Sequence, residues 1–289
     1  MINYSIQNIL VPIDLSESSL NALDTAIVLS KKNNASICLL YVSETLPELA
    51  GKQKKETTVS GSHSDILQAL ASAVKHKENI NPVVIEEEGN VAEIIFKSSL
   101  HHPVDLIVMG THGASGYREG FIGSNTYNTV KYAACPVLTV PPKRKSISFE
   151  KILFPIRPAF GALTPFSIAS KFIDKNAVID VLGLSYQQRE VDINILEKII
   201  NEIDEPLKDA DTTAHGFWGK SADIAESVIE HAQTHPPDIV VLTSILDVIT
   251  KPGFIGPFAQ KLLHTLRVPV LNIKNVNVAN FRSLRQMVS

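Results

Sequence analysis

The segment Gly110-Thr111-His112-Gly113 leaves an apolar run, Asp105–Met109 (DLIVM), and nine residues later Gly123-Ser124-Asn125-Thr126 opens a stretch with helical spacing. The spacing G-x2-G-x9-G-S suits phosphate binding. Gly110 is expected to adopt backbone angles that a side chain would forbid, turning the chain off a strand. Gly113 would let a ligand approach the backbone closely. Gly123 and Ser124 are expected to present free N–H groups at a helix N-terminus, where the dipole favours an anion. The hydroxyls of Ser124 and Thr126 could add hydrogen bonds. Asp14, which ends another apolar run, Asn8–Ile13 (NILVPI), would lie beside this loop within reach of a ribose or base. The plainer alternative stays open: such glycines also serve only as turn formers, and Ser124 could be only an N-cap. His112 could touch a phosphate or face solvent. Arg118 and Lys131 could neutralise one or simply be solvated. The loop is neither a Walker motif nor a GxGxxG turn.

These residues need strands and helices to hold them, and the chain supplies both in alternation. Asn8–Ile13 reads as a strand and Ser16–Lys32 as a helix with apolar residues at Leu20, Leu23, Ile27 and Val28. Ala35–Val42 (ASICLLYV) is a continuous apolar strand of the kind buried on both faces. Asp65–Lys77 reads as a helix, Pro82–Ile85 as a strand and Val91–His101 as a helix. After DLIVM and the glycine loop come a helix near Ser124–Ala134 and a last strand, Pro136–Val140 (PVLTV). Pro141–Ser148 has linker composition.

The pattern then restarts. Lys151–Arg157 (KILFPIR) echoes NILVPID, Asp238–Leu242 (DIVVL) echoes DLIVM, and Gly253–Gly256 repeats the GFIG of Gly120–Gly123. Pro269–Ile273 (PVLNI) repeats PVLTV, and Trp218-Gly219 is matched to Glu88-Gly89. The expectation is an α/β chain of two repeated, doubly wound, five-stranded parallel-sheet domains, Rossmann-like and packed as a pseudo-dimer. The domains are placed at 1–142 and 150–274, followed by a tail, 275–289, with Phe281, Leu284, Met287 and Val288 at near-helical spacing. Pro136–Val140 is expected near Pro269–Ile273, because two apolar strands left at open sheet edges would invite aggregation.

The carriers Val11-Pro12-Ile13-Asp14, Leu39–Val42, Asp105–Gly113, Gly123-Ser124 and Cys135–Val140 resemble the universal stress protein family in its tandem form, over nearly the whole chain. The resemblance implies an adenine nucleotide alpha hydrolase-like fold and an adenine-nucleotide site in the first domain, holding ATP or a relative; in the ATPase reading Asp14 could also hold an accompanying Mg²⁺. By that resemblance Pro12, Ile13 and Asp14 would line the adenosine site, and the Val42 backbone would meet adenine. Met109, Gly110, His112 and Gly113 would form the loop, and Gly123, Ser124 and Asn125 would hold phosphates. The second domain departs from the signature: Gly110 becomes Thr243, Gly113 becomes Leu246, Ser124 becomes Pro257 and Asp14 becomes Arg157. No nucleotide is expected there, since Pro257 lacks both an N–H and a hydroxyl.

Composition narrows the function classes. Lys+Arg 27 against Asp+Glu 30 leaves −3, so no basic excess points to nucleic acid or an anionic membrane. No apolar run reaches the roughly 18–20 residues of a membrane span, and a secretory signal is not expected. Cys38 and Cys135 read as buried thiols of a cytoplasmic protein. His231 and His235 have the i, i+4 spacing of a zinc pair but stand before Pro236-Pro237, and no metal site is expected. Three functions compete: a stress-response protein sensing an adenine nucleotide, a slow ATPase at the same loop, and a nucleotide-independent scaffold. A homodimer remains open.

Overall fold

The computed structural model describes residues 4–44, 63–113, 122–142, 147–157, 165–185, 190–204, 212–219, 223–243 and 256–273. In the first half the order is β1 (Asn8–Pro12), α1 (Glu17–Asn33), β2 (Ser36–Ser43), α2 (His63–Glu78), β3 (Val83–Glu88), α3 (Val91–His101), β4 (Leu106–Gly110), α4 (Ser124–Tyr132) and β5 (Val137–Val140). The second half repeats it: β6 (Lys151–Ile156), α5 (Phe166–Ala169), β7 (Val178–Gly183), α6 (Glu190–Asp204), β8 (Thr213–Trp218), α7 (Ile224–Thr234), β9 (Ile239–Thr243), α8 (Pro257–Thr265) and β10 (Val270–Ile273). The tail, Leu246 and Arg118 lie outside the described residues.

All ten strands join one sheet in the order β3-β2-β1-β4-β5-β10-β9-β6-β7-β8. Every pairing is parallel except β5 with β10, which is antiparallel and joins the halves. The two apolar strands expected to meet therefore cover one another. Thr139 faces Val270, Leu138 faces Leu271, and Val137 faces Asn272. Leu138 and Leu271 are the matching residues of the two repeats, so a pseudo-twofold axis passes between them.

Alternation along the strands builds two cores, because successive side chains point to opposite faces. Ile9, Val11 and Ile13 join residues of α1, α2, α5 and α6 on one face, while Leu10 and Leu40 join α3, α4, α7 and α8 on the other. Helices thus cover both faces, and β4 and β9 are buried along their whole length. Local signals set the helix ends. The Ser16 hydroxyl caps α1 by accepting the Ser19 N–H at 3.2 Å, and Asn34, in the left-handed region at φ 53°, stops it.

In the first half, the chain builds β1, β2 and β3 outward in one direction and then places β4 on the other side of β1. The reversal lies between β1 and β4, and a crevice opens beyond their carboxyl ends. The chemistry-bearing residues follow those two strands.

Candidate functional site

Asp14 follows β1 in a tight turn. Leu15 takes a positive φ of 63°, unusual for a branched side chain, and this brings the chain directly into α1. The Asp14 carboxylate accepts hydrogen bonds from the Ser16 N–H at 3.1 Å and the Ser16 hydroxyl at 2.6 Å, while its own N–H donates to the Ser19 hydroxyl at 3.3 Å. The first turn of α1 therefore fixes this acid at the cleft.

The same turn explains Gly110. This residue ends β4, and its φ is not positive, so the expected special backbone angle is corrected. What demands glycine is space. A Cβ on Gly110 would stand 2.8 Å from the backbone carbon and from the Cβ of Ser18. The Ser18 hydroxyl donates to the Val140 carbonyl at 3.3 Å and accepts the His112 N–H at 3.4 Å, pinning α1 over the end of β4. Gly113 likewise lies against Asp14, whose carboxylate oxygen would be 2.9 Å from an added Cβ. The His112 Nδ1 pairs with the Thr111 hydroxyl at 2.8 Å.

Two bonds close the glycine loop at its base. The Gly123 N–H donates to the Thr111 carbonyl at 2.8 Å, and the buried Thr126 hydroxyl donates to the Gly110 carbonyl at 2.8 Å. The expectation of a free Gly123 N–H is thus corrected: it holds the loop shut. Gly123 is the N-cap of α4, with no side-chain cap bond, and Ser124 is the first helical residue, not the cap. The first intrahelical bond runs from the Tyr127 N–H to the Gly123 carbonyl. The amides of Ser124, Asn125 and Thr126 precede it and form the positive end of the helix. Thr126 is drawn into the structure, so its hydroxyl serves the loop base.

These elements enclose a cleft of about 270 Å³. All eleven residues singled out for the site line it. Pro12, Ile13 and Asp14 come from the end of β1, Val42 from β2, and Met109 with Gly110 from β4. His112 and Gly113 come from the loop, and Gly123, Ser124 and Asn125 from the start of α4. Thr126, whose hydroxyl the sequence singles out, also lines it, and the structure adds Ser19, Leu40, Glu44 and Val91. Leu40 was legible as the residue two before Val42, on the same strand face. Ser19, Glu44 and Val91 carried no sequence signal. They reach the cleft only because α1, β2 and α3 converge there.

The wall is apolar at Leu40, Val42, Val91 and Met109, acidic at Asp14 and Glu44, and carries no Lys or Arg among the described residues. The Asn125 amide reaches the Glu44 carboxylate at 3.5 Å across the mouth. Burial first, then the carboxylates of Glu86 and Asp14, hold the Tyr41 phenol above its usual pKa. Among the described residues, an anionic ligand here would be met by backbone N–H groups of α4 rather than by side-chain cations.

A family model described as the Universal stress protein family matches residues 5–141. A universal stress protein of Methanocaldococcus jannaschii is 31% identical over 143 residues, covering 48% of this chain and 84% of that protein. The chain belongs to the universal stress protein family. A Bacillus subtilis universal stress protein is 30% identical over 142 residues, 45% of this chain and 96% of its own length. Each of these relatives matches about half of the present chain. A universal stress protein structure from Archaeoglobus fulgidus spans both halves, covering 94% of this chain and 100% of that one at 18% identity and a TM-score of 0.70, which shows the shared fold.

Elsewhere in this universal stress protein, the described residues include no group of three ligands able to hold a metal. His231 and His235 explain why their spacing misleads. Their rings stack at 4.6 Å and 16°, so the nitrogen lone pairs lie in nearly parallel planes, and the His231 Nε2 pairs with Asp180 at 2.9 Å. Burial pushes the Cys38 thiol up to about 11, and Cys135 is buried, so neither is a ready nucleophile. No described helix is long and apolar enough to cross a membrane.

Proposed function

We propose that the first half binds ATP or a related adenine nucleotide in the cleft between β1 and β4, and serves as a cytoplasmic sensor or regulator in a stress response. The observation that carries this reading is the meeting, in one cleft at the switch point, of all eleven residues of the nucleotide signature. The apolar wall at Val42, Leu40 and Met109 suits a base. Asp14, held by Ser16, suits a ribose hydroxyl. The amides of Ser124 and Asn125 suit phosphate. Asp14 and Glu44 are the carboxylates that would hold an accompanying Mg²⁺, whose charge would offset that of the phosphates. Each half is a domain in this reading, with the division after 142.

The second half keeps the sheet and loses the site. Pro257 stands at the first position of α8, Arg157 replaces Asp14, and Thr243 replaces Gly110. Binding is therefore assigned to the first half alone. The test is direct. Freshly purified protein is denatured, its supernatant is chromatographed for adenine nucleotides, and ATP is titrated calorimetrically. Saturable binding at one site per chain is expected, and Ser124→Pro, which copies the second half, is expected to weaken it at least about tenfold by removing one N–H and one hydroxyl. Wild-type protein that neither carries nor binds an adenine nucleotide would overturn the reading in favour of a scaffold.

A further inference from the structure

Residues on a twofold axis meet their own counterparts, and the interface between the halves shows two such places. One is Leu138 facing Leu271. The second is at the far ends of the first helices. Asn34 and Asn176 match in the repeats, and both take the left-handed conformation, at φ 53° and 61°, just before the second strand of each half. Strand register confirms the match, since Asn8 pairs with Ser36 as Lys151 pairs with Val178. Two residues before each asparagine stand Lys32 and Asp174, so these are counterparts, and they touch. The Lys32 ammonium lies 2.6 Å from the Asp174 carboxylate, donates to the Phe172 carbonyl at 2.8 Å and also bonds the Ile173 carbonyl.

We propose that Lys32 and Asp174 make this surface selective for unlike halves, so that the face formed by β5 and the end of α1 accepts the second half and rejects a second copy of itself. In a pairing of two first halves, the axis would bring Lys32 against Lys32. In a pairing of two second halves it would bring Asp174 against Asp174. Only the unlike pairing places opposite charges together. The remaining interface does not discriminate as sharply. Leu138 and Leu271 are the same residue, and the flanking polar bonds are reciprocal, with the Thr139 hydroxyl on the Val270 carbonyl at 3.2 Å and the Asn272 amide on the Val137 carbonyl at 3.4 Å. Asp174 is anchored from behind, because its other oxygen accepts the Phe149 N–H at 2.8 Å. The side chains of Lys32 and Asp174 are 26% and 35% exposed, which keeps the pair's effect on stability modest while its sign still decides the partner.

The test uses the full chain. Lys32→Asp and Asp174→Lys each create a like-charge pair within the chain. Each is expected to raise the unfolded-to-folded ratio roughly three- to tenfold at a fixed urea concentration. The double reversal, Lys32→Asp with Asp174→Lys, restores the opposite pair and is expected to be more stable than either single variant but short of wild type, because the bonds to the Phe172 and Ile173 carbonyls and from the Phe149 N–H are not restored. Co-refolding the two single variants in equal amounts offers complementary charges only between chains. Sedimentation is expected to show a two-chain species in that mixture and none in either variant alone. Lys32→Met, which removes charge without repulsion, is expected to fold with a smaller loss. A double reversal no more stable than the singles, or a co-refolded mixture that contains single chains only, overturns the proposal.

Discussion

Gly110 and Thr243 hold the same place at the end of the fourth strand of each half, and what lies over them differs. In the first half α1 runs for 17 residues, and its opening turn presses Ser18 onto Gly110. In the second half the described helix in that position, α5, has four residues and begins at Phe166. Thr243 is buried at the end of β9. A second contrast lies on the same face of the sheet, between the second and third strands of each half. Strand pairing sets Tyr41 beside Glu86 in the first half and Gly183 beside Trp218 in the second. Trp218 therefore corresponds to Glu86, two residues from Glu88, its match in the sequence. Its ring occupies the space that Gly183 leaves, 2.8 Å from where a Cβ would stand. One half carries the large ring on the second strand and the other on the third. The two repeats share the sheet and its seam and differ at positions that line the cleft of the first half.

Three changes test how deep that division runs. The largest effect is expected at the seam, where the halves are alike. Leu138→Ala and Leu271→Ala each truncate a fully buried side chain on the pseudo-twofold axis and should each cost about 2–5 kcal/mol by urea unfolding. A cost for one more than twice that of the other would break the symmetry argument. Next comes Gly110→Thr, which copies the second half. Its Cβ would overlap Ser18, so a loss of about 1–3 kcal/mol and of nucleotide binding is expected, whereas Thr243→Gly should leave binding unchanged. A stable, binding-competent Gly110→Thr would show that α1 yields easily.

The smallest effect separates two helix caps. Asn90 caps α3 with a neutral amide that accepts the Glu93 N–H at 3.0 Å, while Asp223 caps α7 with a carboxylate that accepts the Ala225 and Glu226 N–H groups. The Lys261 ammonium at 2.7 Å, then those backbone bonds, lower the Asp223 pKa. A carboxyl whose folded pKa lies below its unfolded value stabilises the fold above the unfolded pKa, and that contribution is lost as pH falls through the folded one. Acid should therefore loosen α7 before α3. Asp223→Asn should remove that part of the acid dependence, and replacing the cap by Ala should cost about 1 kcal/mol near neutral pH. Amide exchange measured helix by helix between pH 3 and 7 would check it. Equal acid sensitivity of α3 and α7 would count against the electrostatic distinction.

Much of this was legible in the chain. Runs such as DLIVM and DIVVL, alternating with helical segments, read as strands buried on both faces, and their recurrence at one offset announces a duplication. The glycine loop and Asp14 follow strands of that kind, and a parallel sheet binds beyond its strand ends, so the cleft could be placed before any coordinate. The reasons for individual residues were less accessible. Gly110 looked like a turn former and is a contact residue, because Ser18 comes from a helix far away in sequence. Gly123 looked like a donor to phosphate and closes the loop on Thr111 instead. The zinc spacing of His231 and His235 is real along the helix, but the rings stack, which spacing does not reveal.

The amino-acid sequence by itself determined the strand and helix order, the doubling, and the place of the glycine loop that leads into α4, because all three rest on local periodicity and residue type. Only the tertiary structure decided which residues meet: Ser18 over Gly110, Trp218 over Gly183, and Lys32 against Asp174 on the axis between the halves. Such contacts arise where separate elements pack at a few ångströms, and chain proximity encodes no distance between them.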